Sequence, residues 1–364
     1  MFEEVLNGVY QTNEYPVLGY LAKQWATKKP FVGKRILVAT PVFRNTLLEY
    51  AALIAGGADL SIGCDTVACD ITIVKKVKQW GFSVLTQADV LNQEQNGQFF
   101  DLILDCAGQF SACHPAYGFV ELTRSGVYLY EKSSKPVFVA DSGIIKRIET
   151  SLGTGDGYFR ALKQLGFSPF EGKKLVVFGS GKVGSGIALQ GLTKGCSVKV
   201  VTQKRPQTVD GLQVDFSEDM SKQGIQIVDA QNITETTNAI NHADFIVTAT
   251  GKKDALNKPD IVSAIMESRA IAANMGVEDE YGEHIPQNRV LNNKNTFNFL
   301  LEEPTHLKYI DASLGLHAAL GEKLIQEKCN FNGVKNPPAK LEQQILDITI
   351  QNGCIGEELQ KFLM

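Results

Sequence analysis

Lys174–Thr202, KLVVFGSGKVGSGIALQGLTKGCSVKVVT, reads as a strand, a glycine turn, a helix and a second strand. The apolar run Leu175–Phe178 is short and β-rich, as expected of a strand covered on both faces. Gly179, Gly181 and Gly184 satisfy G-x-G-x-x-G at the strand-to-helix junction, with Lys182 and Val183 inside the motif. Bare backbone there lets a pyrophosphate approach the free N–H groups of the helix start. Such a motif is weak alone. Here it follows a predicted strand, opens a helix with Val183, Ile187, Ala188 and Leu192 at helical spacing, and leads into the strand Val198–Thr202. The stretch predicts a dinucleotide-binding unit of a parallel sheet.

A ribose-binding Asp or Glu is expected about 20 residues further on, at the end of the second strand. This chain has Gln203, Lys204 and Arg205 there. An acid would accept hydrogen bonds from a free 2′-hydroxyl and repel a 2′-phosphate, whereas an amide beside two cations removes that repulsion. The cofactor reads as NAD or NADP.

Outward from this unit the chain alternates strands and helices, which implies parallel sheets with right-handed crossovers. Before it, strands are predicted at 35–39, 59–62, 82–85, 99–105, 118–121 and 137–140, with helices at 16–27, 43–55, 71–80 and 125–132. Gly153, Gly155 and Gly157 crowd one stretch before a helix at 158–165, and a boundary or hinge is expected there. After it come strands at 225–228, 245–249 and 270–274 and a helix at 259–267. Thr248, Thr250, Gly251, Asn274 and Gly276 then fall at carboxyl ends of strands, where parallel-sheet ligands bind. Helices at 314–329, 339–351 and near Glu357 close the chain. The expected architecture is α/β, with two Rossmann-like doubly wound parallel-sheet domains: a substrate-type domain at 1–152, a dinucleotide domain at 153–310, and C-terminal helices at 311–364 packing on the first domain or a partner subunit.

The 364 residues suit two domains, and 44% hydrophobic with 21% charged residues is ordinary for a globular protein. A net charge of −4 gives no reason to expect nucleic acid or an anionic membrane as a partner. No apolar run approaches the roughly 18 residues that would span a bilayer, and the acidic, mixed start MFEEVLNGVYQTNEYP does not resemble a signal peptide. A cytoplasmic protein is expected. Seven scattered cysteines fit reduced thiols, and Cys106, Cys113 and His114 have no standard metal spacing, so no metal is expected.

The order of the pieces resembles the S-adenosylhomocysteine hydrolase family over roughly residues 15–330. The resemblance rests on KPFVGKRILVAT (29–40), LILDCAG (102–108), VELTRSGV (120–127), ADSGIIKRIETSLG (140–153), the glycine turn, VTATG (247–251) and NMGVEDE (274–280). It implies a substrate domain, an inserted NAD domain and a C-terminal segment that helps build a homo-oligomer, a dimer or tetramer. It places cofactor contacts on the glycine turn, Thr123, Ser125, Thr248, Thr250, Asn274 and Asn298, and the acidic ribose contact on Gln203. Asp141 and Ser142 match the family, and the acid near Glu149 is kept.

The family's proton-moving and ribose-binding groups are not kept. Its histidine falls on Pro41, its aspartate on Cys106, its glutamate on Leu122, its lysine near Ile145 and a second histidine on Val277; Lys146 lies one position from the expected lysine, and Glu303 replaces the histidine before Pro304. Each positioned acid or base is worth about 10² to 10⁴ in rate, so losing several removes the hydrolase cycle. The expected activity is NAD(P)-dependent hydride transfer on a small hydroxyl- or carbonyl-bearing substrate, with Arg44, Lys146 and Glu149 as catalytic candidates and Glu121 and Glu303 beside them. The alternatives are a non-catalytic dinucleotide-binding regulator and an authentic hydrolase with displaced groups.

Overall fold

Short, doubly covered apolar segments dictate this architecture: Leu102–Asp105, Gly118–Glu121, Pro136–Val139 and Phe245–Thr248 are buried at every position, as central parallel strands must be. The computed structural model describes residues 2–141, 143–203, 207–209, 212–214 and 220–363. Ser142, Lys204 and Arg205 lie outside them. The chain forms two units, 1–146 with 306–364, and 147–305.

In chain order the strands are β1 (Arg35–Val38), β2 (Asp59–Gly63), β3 (Val84–Leu85), β4 (Leu102–Asp105), β5 (Gly118–Glu121), β6 (Pro136–Val139), β7 (Lys174–Phe178), β8 (Ser197–Thr202), β9 (Gln207–Val209), β10 (Leu212–Val214), β11 (Gln226–Asp229), β12 (Phe245–Thr248), β13 (Ile271–Asn274) and β14 (Gly333–Lys335). The first unit holds a parallel sheet ordered β14-β6-β5-β4-β1-β2-β3. Its sequence order reverses between β4 and β1. The second unit holds a parallel sheet ordered β11-β8-β7-β12-β13, and β9 pairs with β10 antiparallel.

Local signals fix the helices around these sheets. Asp70 accepts hydrogen bonds from the Thr72 and Ile73 amides and starts the helix Ile71–Gln79, and Thr86 with Asp89 forms a capping box for Gln87–Gln95. In the first unit Trp25 packs edge-on against Phe31, and the helix Leu307–Glu327 buries Leu314, Leu316, Leu320 and Leu324 in the same core. That helix starts at Leu307, well before 314, with His306 at its N-cap.

The glycines at 153–157, where a boundary or hinge is expected, are helical in the structure. They lie within consecutive helical segments, Gly143–Arg147, the π-helical turn Ile148–Gly153 and Thr154–Gln164. A Cβ on Gly155 would stand 2.7 Å from the Gly186 carbonyl oxygen, and one on Gly157 would stand 2.6 Å from that of Pro304. Close backbone approach selects glycine at 155 and 157. The units part at 146/147, inside this helical run, rather than at 152/153.

Asp311, buried in the first unit, accepts the Val17 amide at 2.9 Å and the Leu18 amide at 3.0 Å, capping the helix Pro16–Lys28 from a distant part of the chain. Burial pushes its carboxyl up to about 7, against the pull of those two amides. The folded protein therefore keeps a proton that the unfolded chain releases near pH 4. That contribution to stability is whole below about pH 4 and is lost as pH rises through about 7. Asp105, pushed up to about 7 by burial and by the neighbouring Glu121, acts in the same direction. The urea midpoint of the first unit should be lower at pH 8 than at pH 5, and Asp311→Asn should shrink that difference. A midpoint that rises over the same interval would contradict this account.

Candidate dinucleotide site and substrate-side groups

Counted from β7, the second sheet runs third, second, first, fourth, fifth, so its order reverses between β7 and β12. Ligands of open parallel sheets bind outside the carboxyl ends at such a reversal. The glycine turn follows β7 at that point. Gly179 has φ +107°, and a Cβ there would lie 2.3 Å from the Ala249 carbonyl oxygen after β12; a Cβ on Gly184 would lie 2.1 Å from the Gly179 oxygen. Both positions need glycine for the turn itself. Gly181 differs. It precedes the helix Lys182–Thr193 with φ −67°, and a Cβ on it meets nothing within 4 Å, so its bare face opens on free space at the helix start. Lys182 and Val183 form the first turn, and Ser180 hydrogen-bonds Thr202 at 2.8 Å, tying the turn to the end of β8.

A cavity of about 270 Å³ lies at these carboxyl ends, lined by Gly179, Gln203, Thr236, Thr250, Lys252 and Lys258 among others. It suits one nucleoside half of a dinucleotide. Among the described residues that line it, none is Asp or Glu. A hollow of about 320 Å³ bordered by Lys174 and Ser197 sits at the amino ends of β7 and β8, the wrong end of a parallel sheet for a ligand.

Thr248, Thr250, Gly251, Asn274 and Gly276 also gather at this end of the sheet, but much of their bonding capacity is internal. The buried Thr248 hydroxyl donates to Asn274 Oδ1 at 2.9 Å, and that oxygen also accepts the Gly276 amide at 3.0 Å. Asn274 Nδ2 donates to the Glu278 and Lys294 carbonyls at 2.8 and 2.7 Å. Glu280, fully buried, accepts the Thr250 and Gly251 amides at 2.8 and 2.7 Å and braces the TATG turn. Burial raises its carboxyl, while those amides pull it down. Sequence reasoning missed Glu280 as a brace because its partners lie about thirty residues upstream.

Asn298 and Thr236 are among the buried groups that keep an unsatisfied valence. Asn298 is 4% exposed; its Nδ2 donates to the Pro304 carbonyl at 3.2 Å, and its Oδ1 has no hydrogen-bond partner among the described residues. The Thr236 hydroxyl, on the cavity wall, has none either. Orphaned buried polar atoms are uncommon, and the one at Thr236 lies on the wall of the cavity.

Thr123 and Ser125 stand in the first unit. Thr123 caps the helix Arg124–Tyr130, and its hydroxyl donates to Glu121 Oε1 at 2.6 Å and lies 3.2 Å from Ser125 Oγ. Glu121 is fully buried and accepts the Ala107, Gly108 and Thr123 amides at 2.9, 3.0 and 2.7 Å. It braces a loop and is spent as a base. Lys146, also buried, donates to the Leu122 carbonyl at 3.0 Å. Arg44 is half-buried on the loop after β1; in the second unit Glu149 is half-buried in the π-helical turn, and Glu303 is half-buried with its carbonyl accepting Arg160 Nη1 at 3.0 Å. At the carboxyl ends of β1, β4 and β5 stand Pro41, Cys106 and Leu122. Val277 is 87% exposed.

Nothing in the sequence flagged His317, which is fully buried in the first unit. Its Nδ1 lies 2.9 Å from Glu49 Oε1 and its Nε2 3.0 Å from the Val120 carbonyl oxygen, while Thr40 Oγ1 donates to Glu49 Oε2 at 3.2 Å. No group of three His, Cys, Asp or Glu is arranged to hold a metal among the described residues, and no described helix is long and apolar enough to cross a membrane.

Residues 167–283 match the family model "Putative NAD(P)-binding", which covers the glycine turn, the cavity and the TATG turn. Over 95% of its length the chain is 24% identical to the adenosylhomocysteinase of Thermoplasma acidophilum, spanning 92% of that protein. The chain is thus similar to adenosylhomocysteinases over most of its length. The adenosylhomocysteinase of Sulfolobus acidocaldarius is also 24% identical over 95% of the chain and 90% of its own length. The S-inosyl-L-homocysteine hydrolase of Methanopyrus kandleri is 23% identical, again over 95% of the chain and 89% of its own length. By the family match the chain holds an NAD(P)-binding unit over residues 167–283.

Proposed function

We propose that the chain transfers hydride between NAD(P) and a small hydroxyl- or carbonyl-bearing substrate and no longer hydrolyses a thioether nucleoside. The observation that carries this reading is the contrast between its two halves. The glycine turn retains its crevice and an open face at Gly181, whereas neutral side chains stand at Pro41, Cys106, Leu122 and Val277. When bound, the nicotinamide supplies hydride exchange. The chain's own residues would do the rest. The helix start at Gly181 and Lys182 holds the pyrophosphate, the Asn298 amide oxygen accepts an N–H, Lys146 polarises a carbonyl and Arg44 clamps a carboxylate.

The test is a paired assay on purified protein given S-adenosylhomocysteine with saturating NAD or NADP. We expect dinucleotide binding by calorimetry and no release of homocysteine. Release at an enzyme's rate would restore the hydrolase reading, and no dinucleotide binding would remove the whole proposal.

Lys252 and Lys258, with no carboxylate among the described lining residues, favour a 2′-phosphorylated dinucleotide. Reversing both charges in K252E/K258E should weaken NADP binding roughly tenfold or more while moving NAD less than about threefold. Equal affinities for NAD and NADP in the unaltered protein would drop this preference.

A further inference from the structure

Between β2 and the helix Ile71–Gln79 runs a short loop that begins and ends with cysteine. Cys64 and Cys69 are both half-buried free thiols, with their sulfurs 3.0 Å apart. The loop they bracket is fastened over the carboxyl ends of β1 and β4, where the order of the first sheet reverses. Gln109 makes the fastening. Its Oε1 accepts the Asp65 and Thr66 amides, each at 3.1 Å, and its Nε2 donates to the Ala39 and Cys106 carbonyls at 2.8 and 3.0 Å. The loop after β1 is joined from the other side. The Val42 amide points at Cys69 Sγ at 3.4 Å, and the Asp70 amide donates to the Val42 carbonyl at 2.9 Å.

We propose that Cys64 and Cys69 are a reversible dithiol–disulfide pair, oxidised by a low-molecular-weight disulfide, which staples this loop over the carboxyl ends of β1 and β4. In the first step the Cys64 thiolate attacks one sulfur of the reagent, forming a mixed disulfide and expelling one thiolate, which takes up a proton. Cys69 then gives its proton to solvent and attacks Cys64 Sγ, expelling the second thiolate. The protein loses two electrons and two protons, and one reagent disulfide becomes two thiols.

Cys64 is the attacking group. Its hydrogen bond from Cys69 and the charge of Lys78 bring its thiol down to about 7, against the effect of burial, while Cys69 is held well above the ordinary range. Buried Cys113 and Cys196 are pushed up to about 12 and about 11 by desolvation and have no such role. Among the described residues no third ligand completes a metal site with the pair.

One tryptic peptide, 45–75, contains Cys64 and Cys69 and no other cysteine, so it reports the pair directly. The full-length protein is equilibrated with mixtures of reduced and oxidised glutathione, its remaining thiols are alkylated, and the digest is weighed. We expect this peptide to escape alkylation and to weigh two hydrogens less than its free dithiol form at a poise where Cys113 and Cys196 are still alkylated. Cys69→Ser should instead accumulate a glutathione adduct on Cys64. Three results overturn the proposal: a stable glutathione adduct on Cys64 in the unaltered protein, both thiols still alkylated at a poise that has modified the exposed Cys354, or closure equally ready in urea. Closure in urea would assign the reaction to nearness in sequence rather than to the folded loop.

Discussion

Gly181→Val should leave the fold standing and take away the dinucleotide. A side chain at 181 meets no atom of the protein within 4 Å, and the backbone there, φ −67° and ψ −173°, is one that valine adopts without strain. The thermal midpoint should therefore move by no more than a few degrees. The space the valine enters is the space a pyrophosphate needs to approach the helix start, so the dissociation constant for NAD or NADP should rise on the order of a hundredfold. Gly184→Ala separates the two roles of the motif. Its Cβ would sit 2.1 Å from the Gly179 carbonyl oxygen, so the second unit itself should be destabilised, and binding should fall only because folded protein is scarcer. Isothermal titration with a thermal melt on each variant distinguishes the outcomes. Unchanged affinity in a well-folded Gly181→Val protein would mean that the open face of the turn does not receive the cofactor.

The largest loss of stability is expected from His317→Leu. The imidazole Nε2 faces a carbonyl oxygen and must carry hydrogen, while Nδ1 faces the Glu49 carboxylate. Burial alone would lower the imidazole's pKa, but Glu49 and the Val120 carbonyl more than offset it, and the net direction is upward. The pair is buried and the imidazole is hydrogen-bonded at both ring nitrogens. Removing the imidazole leaves the buried Glu49 Oε1 without its partner, which costs about 3–5 kcal/mol, a large fraction of the roughly 5–15 kcal/mol that holds a domain folded. Replacing both partners, in E49M/H317L, should cost less than the single change, because no buried polar partner is left behind. Both tryptophans, Trp25 and Trp80, belong to the first unit, so their fluorescence during urea unfolding reports the unit that contains the pair. A double variant weaker than His317→Leu alone would show that the pair contributes net stability.

The parts of this molecule that were legible in its sequence are those decided locally. The glycine turn, its flanking strands and the helix Pro259–Glu267 announce themselves within a few residues, through backbone freedom, apolar runs and a proline at the helix start. The helix Gln87–Gln95 gave no apolar period, since only Val90 is buried, and β14 is three residues long. Neither carries enough pattern to read. The glycines of 153–157 misled for a different reason. What they make room for is the carbonyls of Gly186 and Pro304, and no nearby residue records that. Glu280, Asp311 and His317 share the same obscurity, each an ordinary polar residue whose partner is set by tertiary structure. The substrate side was legible mainly by subtraction, through residues that the resemblance leads one to expect and that Pro41, Cys106 and Leu122 replace.

The interrupted course of the first unit has a consequence for how the protein is made. Its sheet gains the edge strand β14, the helix Pro16–Lys28 gains the Asp311 cap, and Glu49 gains His317 only from residues after 306. A ribosome therefore delivers the whole of 147–305 before the first unit can be completed. The inserted unit is free to fold during synthesis, while the residues ahead of it wait with Glu49 Oε1 and two helix amides unpaired, dependent on the last sixth of the chain to arrive.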